Sequence, residues 1–199
     1  MSLIDLYYDM PSYERELAPL AALPDLMPKA LQRALGKTLT KLKGQFVKGV
    51  SAEALLQQKF VRAGLFQSSV TWDGDEAHGY LGGTQGKQPL FRYKALPSGP
   101  SVRKPPVGAA AQVLRASGMK TIKGSFVAQM RSGHLGIFWR KPGAKRLSIE
   151  ELLGPSVQFF FSRDSIRIPI EDQTDEIFVG FLEHEVSFLV QMWSMGYEN

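Results

Sequence analysis

Gly124–Val157 reads GSFVAQMRSGHLGIFWRKPGAKRLSIEELLGPSV. Ser125–Met130 has the pattern of a short strand, with Phe126 and Ala128 on one face and Val127 on the other. Arg131-Ser132-Gly133-His134 is the turn, where Gly133 is free to take a positive φ. Leu135–Lys141 returns as the second strand, and Pro142-Gly143 marks another turn. Ser148-Ile149-Glu150-Glu151 has the form of a capping box, which predicts a short helix ending at Gly154-Pro155.

The stretch also carries a family likeness. Phe126, Ala128, Gly133, His134, Gly136, Phe138, Arg140, Arg146-Leu147, Ile149 and Gly154-Pro155-Ser156 follow one another in an order that resembles the prophage minor tail protein Z family of long-tailed phages. That group is related to head–tail connector and tail-completion proteins. The likeness covers about a sixth of the chain. It implies a structural protein of the virion tail, made in the bacterial host cytoplasm and working as a ring, with six-fold symmetry, against tail-tube or neck proteins. It implies no catalysis and no cofactor.

Working outward toward the N-terminus, Leu26–Val50 is the clearest helix. Met27, Ala30, Leu31, Ala34, Leu35, Leu39, Leu42 and Phe46 recur at spacings of three and four. On the opposite side Lys29, Arg33, Lys37 and Lys41 form a cationic rail, either a solvated face or a surface for a partner or for DNA. Ser51 is placed to cap a second helical piece, Ala52–Ala63, closed by Gly64. Before the long helix, Ser2–Tyr8 alternates as an edge strand and Tyr13–Leu23 reads as a short helix limited by Pro19. After it, Leu65–Trp72 and Ala77–Leu81 form a hairpin through Asp73-Gly74. Gly82–Gln88 reads as a loop, Leu90–Lys94 as a strand, and Ala111–Ala116 and Thr121–Lys123 as further strands. Residues 96–108, rich in proline, glycine and serine, predict a flexible exposed loop bearing Arg103 and Lys104.

Toward the C-terminus, Ser165–Ile170 alternates and reads as an edge strand containing Pro169. The last helix runs from Asp172 or Thr174 to about Ser194. At about 100° per residue, Phe178, Phe181, Leu182, Leu189, Trp193 and their apolar neighbours fill close to half its circumference. A surface helix needs a narrower stripe, so this one predicts either a sandwiched helix or cover from a neighbouring copy. Glu185 falls inside the apolar arc and calls for a lysine or arginine opposite it. Together these elements give a single α+β domain over residues 1–199, a mostly antiparallel sheet packed by the long N-terminal helix and the amphipathic C-terminal helix.

The chain has 199 residues, no cysteine, and a net charge of +5 that is unevenly spread. Residues 77–149 hold thirteen basic side chains and no acidic ones, whereas residues 150–199 hold two basic and ten acidic. Such blocks find compensation in a polyanion, in a neighbouring copy, or by interleaving within one monomer. No apolar run approaches the length needed to cross a bilayer, and MSLIDLYYDM lacks the basic-then-apolar order of a signal peptide. Gly82–Gln88 has the wrong glycine spacing for a phosphate loop. His78, His134 and His184 are not at metal-ligand spacing, and no metal or cofactor is expected. The thirteen cations are interleaved with Tyr80, Phe91, Tyr93, Phe126, Phe138 and Trp139, which leaves non-specific nucleic-acid binding by residues 77–149 as the alternative function.

Overall fold

The computed structural model describes residues 3–74, 76–100, 107–140, 143 and 148–196. In chain order the elements are β1 (Ile4–Asp9), α1 (Glu14–Leu17), α2 (Met27–Glu53), α3 (Gln58–Ala63), β2 (Leu65–Gln67), β3 (Thr71–Asp73) and β4 (Glu76–Gly83). Then come β5 (Lys87–Pro89), β6 (Lys94–Leu96), β7 (Ala109–Gln112), β8 (Lys120–Ile122), β9 (Ser125–Gln129) and β10 (Leu135–Arg140). The chain closes with β11 (Ile149–Glu151), β12 (Leu153–Ser156), α4 (Val157–Phe161), α5 (Asp164–Glu171) and α6 (Thr174–Ser194). The class is α+β, and among the described residues every strand pairing is antiparallel. Contacts divide the chain into two compact units: residues 1–46, 65–83 and 161–199 form the first, residues 47–64 and 84–160 the second.

In the first unit β4 is the central strand. β1 lies along one edge, and β2 and β3 share the other. Ile4, Leu6 and Tyr8 stand opposite Leu81, Gly79 and Ala77, and all six are buried on one face. A Cβ on Gly79 would come within 2.8 Å of Leu39 Cδ1, so the glycine is what lets α2 settle on the sheet. The single strand expected over Leu65–Trp72 is two pieces. Ser68 explains the break: its N–H donates to the Tyr80 carbonyl and its Oγ accepts from the Tyr80 N–H, each at 2.9 Å, so a side chain replaces a rung of the ladder.

Helix α2 buries Ala30, Leu31, Ala34, Leu35, Leu39, Leu42 and Phe46, as the spacing predicts. It does not restart at Ser51. The Ser51 hydroxyl donates back to the Val47 carbonyl at 2.8 Å, and the helix runs on to Glu53. The chain then leaves helical geometry, with Leu55 N–H bonded to the Val113 carbonyl, before α3 begins. The helix expected over Tyr13–Leu23 shrinks to α1, flanked by single 3₁₀ turns that start at Pro11 and Ala18-Pro19. Ser165–Ile170 is not an edge strand but lies in α5. Ile166 and Ile170 are buried four residues apart, a spacing common to both periodicities, while Ile168 is exposed. Arg167 decides the matter by pairing with both Asp164 and Glu171, one helical turn away on either side.

Three small sheets build the second unit: β9–β10–β11, β6–β7–β8 and β5–β12. Ser148–Glu151 is not a helix. Ile149–Glu151 pairs with the free edge of β10, placing Glu151 opposite Phe138, and Leu152 N–H continues to the Ile137 carbonyl. That edge satisfies backbone groups a one-turn helix would leave open. The helix comes later, as α4, after Gly154-Pro155-Ser156 has joined β12. Gly82–Gln88 is only partly a loop, since Gly82 and Gly83 end β4 and its last two residues begin β5. Leu90–Arg92 makes a 3₁₀ turn where a strand was expected, and β6 starts at Lys94. Within the predicted 96–108 loop, residues 101–106 lie outside the described residues.

An aromatic cluster fixes the N-terminal end of α6 in the first unit. Tyr8 stacks on Phe178 at 3.6 Å between ring centroids, Tyr13 meets both rings edge-on, and Tyr8 Oη donates to Asp175 Oδ1 at 3.1 Å. Burial, together with the charge of Asp175, holds both phenols protonated: Tyr8 is raised well above the ordinary range and Tyr13 is pushed up to about 12. A phenol whose folded pKa is raised contributes stability that is complete below its unfolded value near 10 and is lost as pH climbs through the folded one. Urea unfolding at stepped pH should therefore show stability falling between about pH 10 and 12. Tyr13→Phe should flatten that fall, whereas an unchanged alkaline slope would show that Tyr13 does not contribute to it.

Candidate assembly interface

The apolar arc of α6 is wider than the first unit can cover. Phe178, Leu182, Val186 and Leu189 are buried, while Ile177 and Phe181 are half-buried, Phe188 is 41% exposed and Trp193 is 53% exposed. Of the helix residues singled out by sequence, Phe178, Leu182, Glu185 and Leu189 thus face the unit's own interior, and Phe181 and Trp193 remain reachable. Phe188 and Ile177 are the further reachable apolar positions, visible in sequence only as members of the arc.

Glu185 is 3% exposed and has the cationic partner its position demands. Lys37 Nζ pairs with Glu185 Oε1, Arg33 Nη1 lies 4.0 Å from Oε2, and His184 Nδ1 is 3.7 Å from Oε1. The lysine stem spans part of the distance while its ammonium keeps contact with water. The rail on α2 is therefore divided. Arg33 and Lys37 turn toward this carboxylate, whereas Lys29 and Lys41 are exposed and carry no ion pair among the described residues. Arg103, Lys104 and Arg146 lie outside the described residues.

In the second unit the hairpin residues that carry the family likeness gather on one sheet face. Gly133 takes φ +82° in the turn, and Met130 N–H closes it on the His134 carbonyl at 2.7 Å. Gly136 pairs with Ala128, and Phe138 with Phe126. The Arg140 guanidinium sits 5.5 Å from the centroid of the Phe126 ring. His134 Nε2 meets Glu151 Oε1 at 2.7 Å, a pair the sequence does not announce because the two residues are far apart in the chain. Gly136 makes the pair possible: a Cβ there would stand 2.5 Å from Glu151 Oε1 and 2.9 Å from the Phe138 ring. Gly154 likewise gives way to the Tyr93 ring, whose hydroxyl donates to the Pro155 carbonyl at 2.9 Å. These contacts clasp three strands together. Of the other histidines, His78 stacks on Tyr7 at 4.2 Å with Asp5 Oδ1 3.6 Å away, in the first unit. Among the described residues no group of three or more His, Asp or Glu is placed to hold a metal ion, and no helix is long and apolar enough to cross a membrane.

Charge also divides between the two units. The first unit holds 8 basic and 16 acidic side chains, a net of −8; the second holds 16 basic and 3 acidic, a net of +13. Neither unit neutralises itself. No family model, curated protein or solved structure matches the chain. The family likeness accordingly rests on the quoted residues between Phe126 and Ser156 alone.

Two pairs of substitutions test the buried carboxylate and the crowded glycine. Lys37→Ala leaves the Glu185 carboxylate with only more distant cations and should cost roughly 1–3 kcal/mol. Glu185→Met removes the charge at similar volume and should stay within about 1.5 kcal/mol of wild type. Urea unfolding measures both, and equal losses would show that pairing is irrelevant at this position. Gly136→Ala should cost roughly 1–3 kcal/mol by crowding Glu151. Adding Glu151→Ala should recover part of that loss in thermal melts; strictly additive losses would mean the crowding is not there.

Proposed function

We propose that this chain is a structural protein of a phage tail, acting at tail completion or at the head–tail junction as a ring of identical copies. Its partners are then further copies of itself and the tail-tube or neck proteins. The family likeness of Gly133, His134, Gly136, Phe138, Arg140, Arg146, Gly154 and Pro155 supports this reading and supplies the six-fold symmetry. The observation that carries it is the division of charge, −8 on one unit and +13 on the other. Opposite surpluses on two parts of one chain favour contacts in which the acidic unit of one copy meets the basic unit of the next. Repeated around an axis, such a heterologous contact closes into a ring when the rotation permits. No chemical step and no cofactor enter this work, which consists of closing a tube end and offering a surface to the next component.

The second reading is non-specific nucleic-acid binding by residues 77–149. It is favoured by one observation, which extends the surface beyond those residues to α3: Arg92 and the α3 residue Lys59 both lie against the Phe60 ring, at 4.3 and 4.8 Å from its centroid, with no carboxylate pairing either among the described residues. Sedimentation velocity across a salt series separates the two, combined with gel shift on random duplex. Oligomers that dissociate as salt rises, and that ignore DNA, are expected. A salt-independent monomer that binds DNA tightly would overturn the tail-protein reading in favour of the second.

A further inference from the structure

We infer that the outer face of the first unit's sheet, the face turned away from α6, is the surface on which the basic unit of a second copy docks. The inference rests on the self-assembly reading and specifies its contact. Ile4, Leu6 and Tyr8 of β1 turn inward, where Tyr8 stacks on Phe178 of α6, so Asp5, Tyr7 and Asp9 turn outward. Register sets them beside Tyr80, His78 and Glu76 of β4, and sets Thr71 and Asp73 of β3 on the far side of His78 and Glu76.

A sheet face left open to water is ordinarily polar. This one carries a row of rings across three strands. Tyr7 stacks on His78 at 4.2 Å between centroids, His78 lies 6.2 Å from Tyr80, and Tyr80 meets Phe66 of β2 edge-on at 6.2 Å. Tyr7 is 60% exposed and Phe66 is 39% exposed. His78 Nε2 is enclosed with no hydrogen-bond partner, so the imidazole is held in the row by stacking at some cost in stability. Tyrosine is among the residue types that anchor protein interfaces.

Charge selects the occupant. Glu76 stands between Asp9 and Asp73 in the register, and like charges directly opposite one another destabilise a sheet. Among the described residues none of the three is in an ion pair. The four strands contain no lysine or arginine. Such a face repels a nucleic acid and an anionic membrane alike. Rings set beside carboxylates suit lysine and arginine, which gain a cation–π contact and an ion pair together. The second unit supplies these, with a surplus of +13 and with Lys59, Arg62 and Arg92 free of carboxylate partners among the described residues.

The test is sedimentation velocity of the full chain at low salt, with circular dichroism to confirm folding. Tyr7→Ser should weaken association by roughly tenfold or more, as expected for an aromatic anchor. Glu76→Lys should weaken it at least as much while melting no lower than wild type, because it replaces the repulsion between Asp9, Glu76 and Asp73 by attraction. Glu183→Lys makes the same change of net charge on α6, behind the sheet, and should weaken association far less. If the wild type forms oligomers and both Tyr7→Ser and Glu76→Lys leave them intact, this face is the wrong one and the self-assembly reading stands. If Glu183→Lys weakens association as much as Glu76→Lys does, net charge and not this face governs the contact, and the inference is overturned. A wild type that stays monomeric at every concentration and salt overturns the face and the reading together.

Discussion

A buried carboxylate sets the geometry of the first unit. Glu185 sits in the middle of the stripe that α6 presents to its own core, where an unpaired charge would be costly. Lys37 and Arg33 answer it from α2. Such a pair need not add net stability, because desolvation offsets much of the attraction. What it constrains is rotation. Turning α6 by one residue, about 100°, would carry Glu185 away from both cations and push Phe181 or Ile177 inward. With the rotation set, Phe178 falls under Tyr8 and Tyr13, and the surplus apolar side chains are left on the flanks. The exposed stripe is thus the consequence of an interior contact.

The second unit is held by a different constraint, which is space. Its strands are short and its sheets small, so it depends on close approach at a few glycines. Gly136 lets Glu151 reach across β10 to His134, and Gly154 lets Tyr93 cap the carbonyl of Pro155. The residues of the hairpin motif therefore have structural work that accounts for their types without any chemistry. With three acids against sixteen bases, the unit as a whole is suited to contact with an anionic surface.

Much of this was legible in the sequence because it was periodic. The α2 and α6 patterns run for several turns, and no strand of that length would place their apolar residues on one side. The β9–β10 hairpin announced itself through alternation and a turn glycine. The demand of Glu185 for a cation followed from its place in the arc. Short segments were misread for a common reason: a few residues satisfy two periods at once. Ile166 and Ile170 suit a strand as well as a helix, and only the flanking Asp164 and Glu171 around Arg167 distinguish them. Ser148 to Glu151 has the letters of a capping box, yet the open edge of β10 offers its backbone more bonds than one helical turn could. Ser51 shows the reverse, a cap residue absorbed into a helix by bonding backward. The His134–Glu151 pair was out of reach, since it depends on β11 pairing with β10, a tertiary event.

Charge also limits the symmetry that association can take. A two-fold contact confined to the first unit would set a surface of net charge −8 against itself. Like charges brought together across a desolvated contact cost several kcal/mol, about the scale at which wrong partners are rejected. The same holds for any two-fold patch confined to the second unit, where the surplus is +13. What remains is a contact between unlike surfaces, acidic unit on basic unit, which leaves one unused acidic surface and one unused basic surface at the ends of every pair. Such a contact propagates until it meets itself or is stopped. On the proposed self-assembly, contacts of this kind build a ring or a filament, and the angle between successive copies, not any further chemistry, decides which.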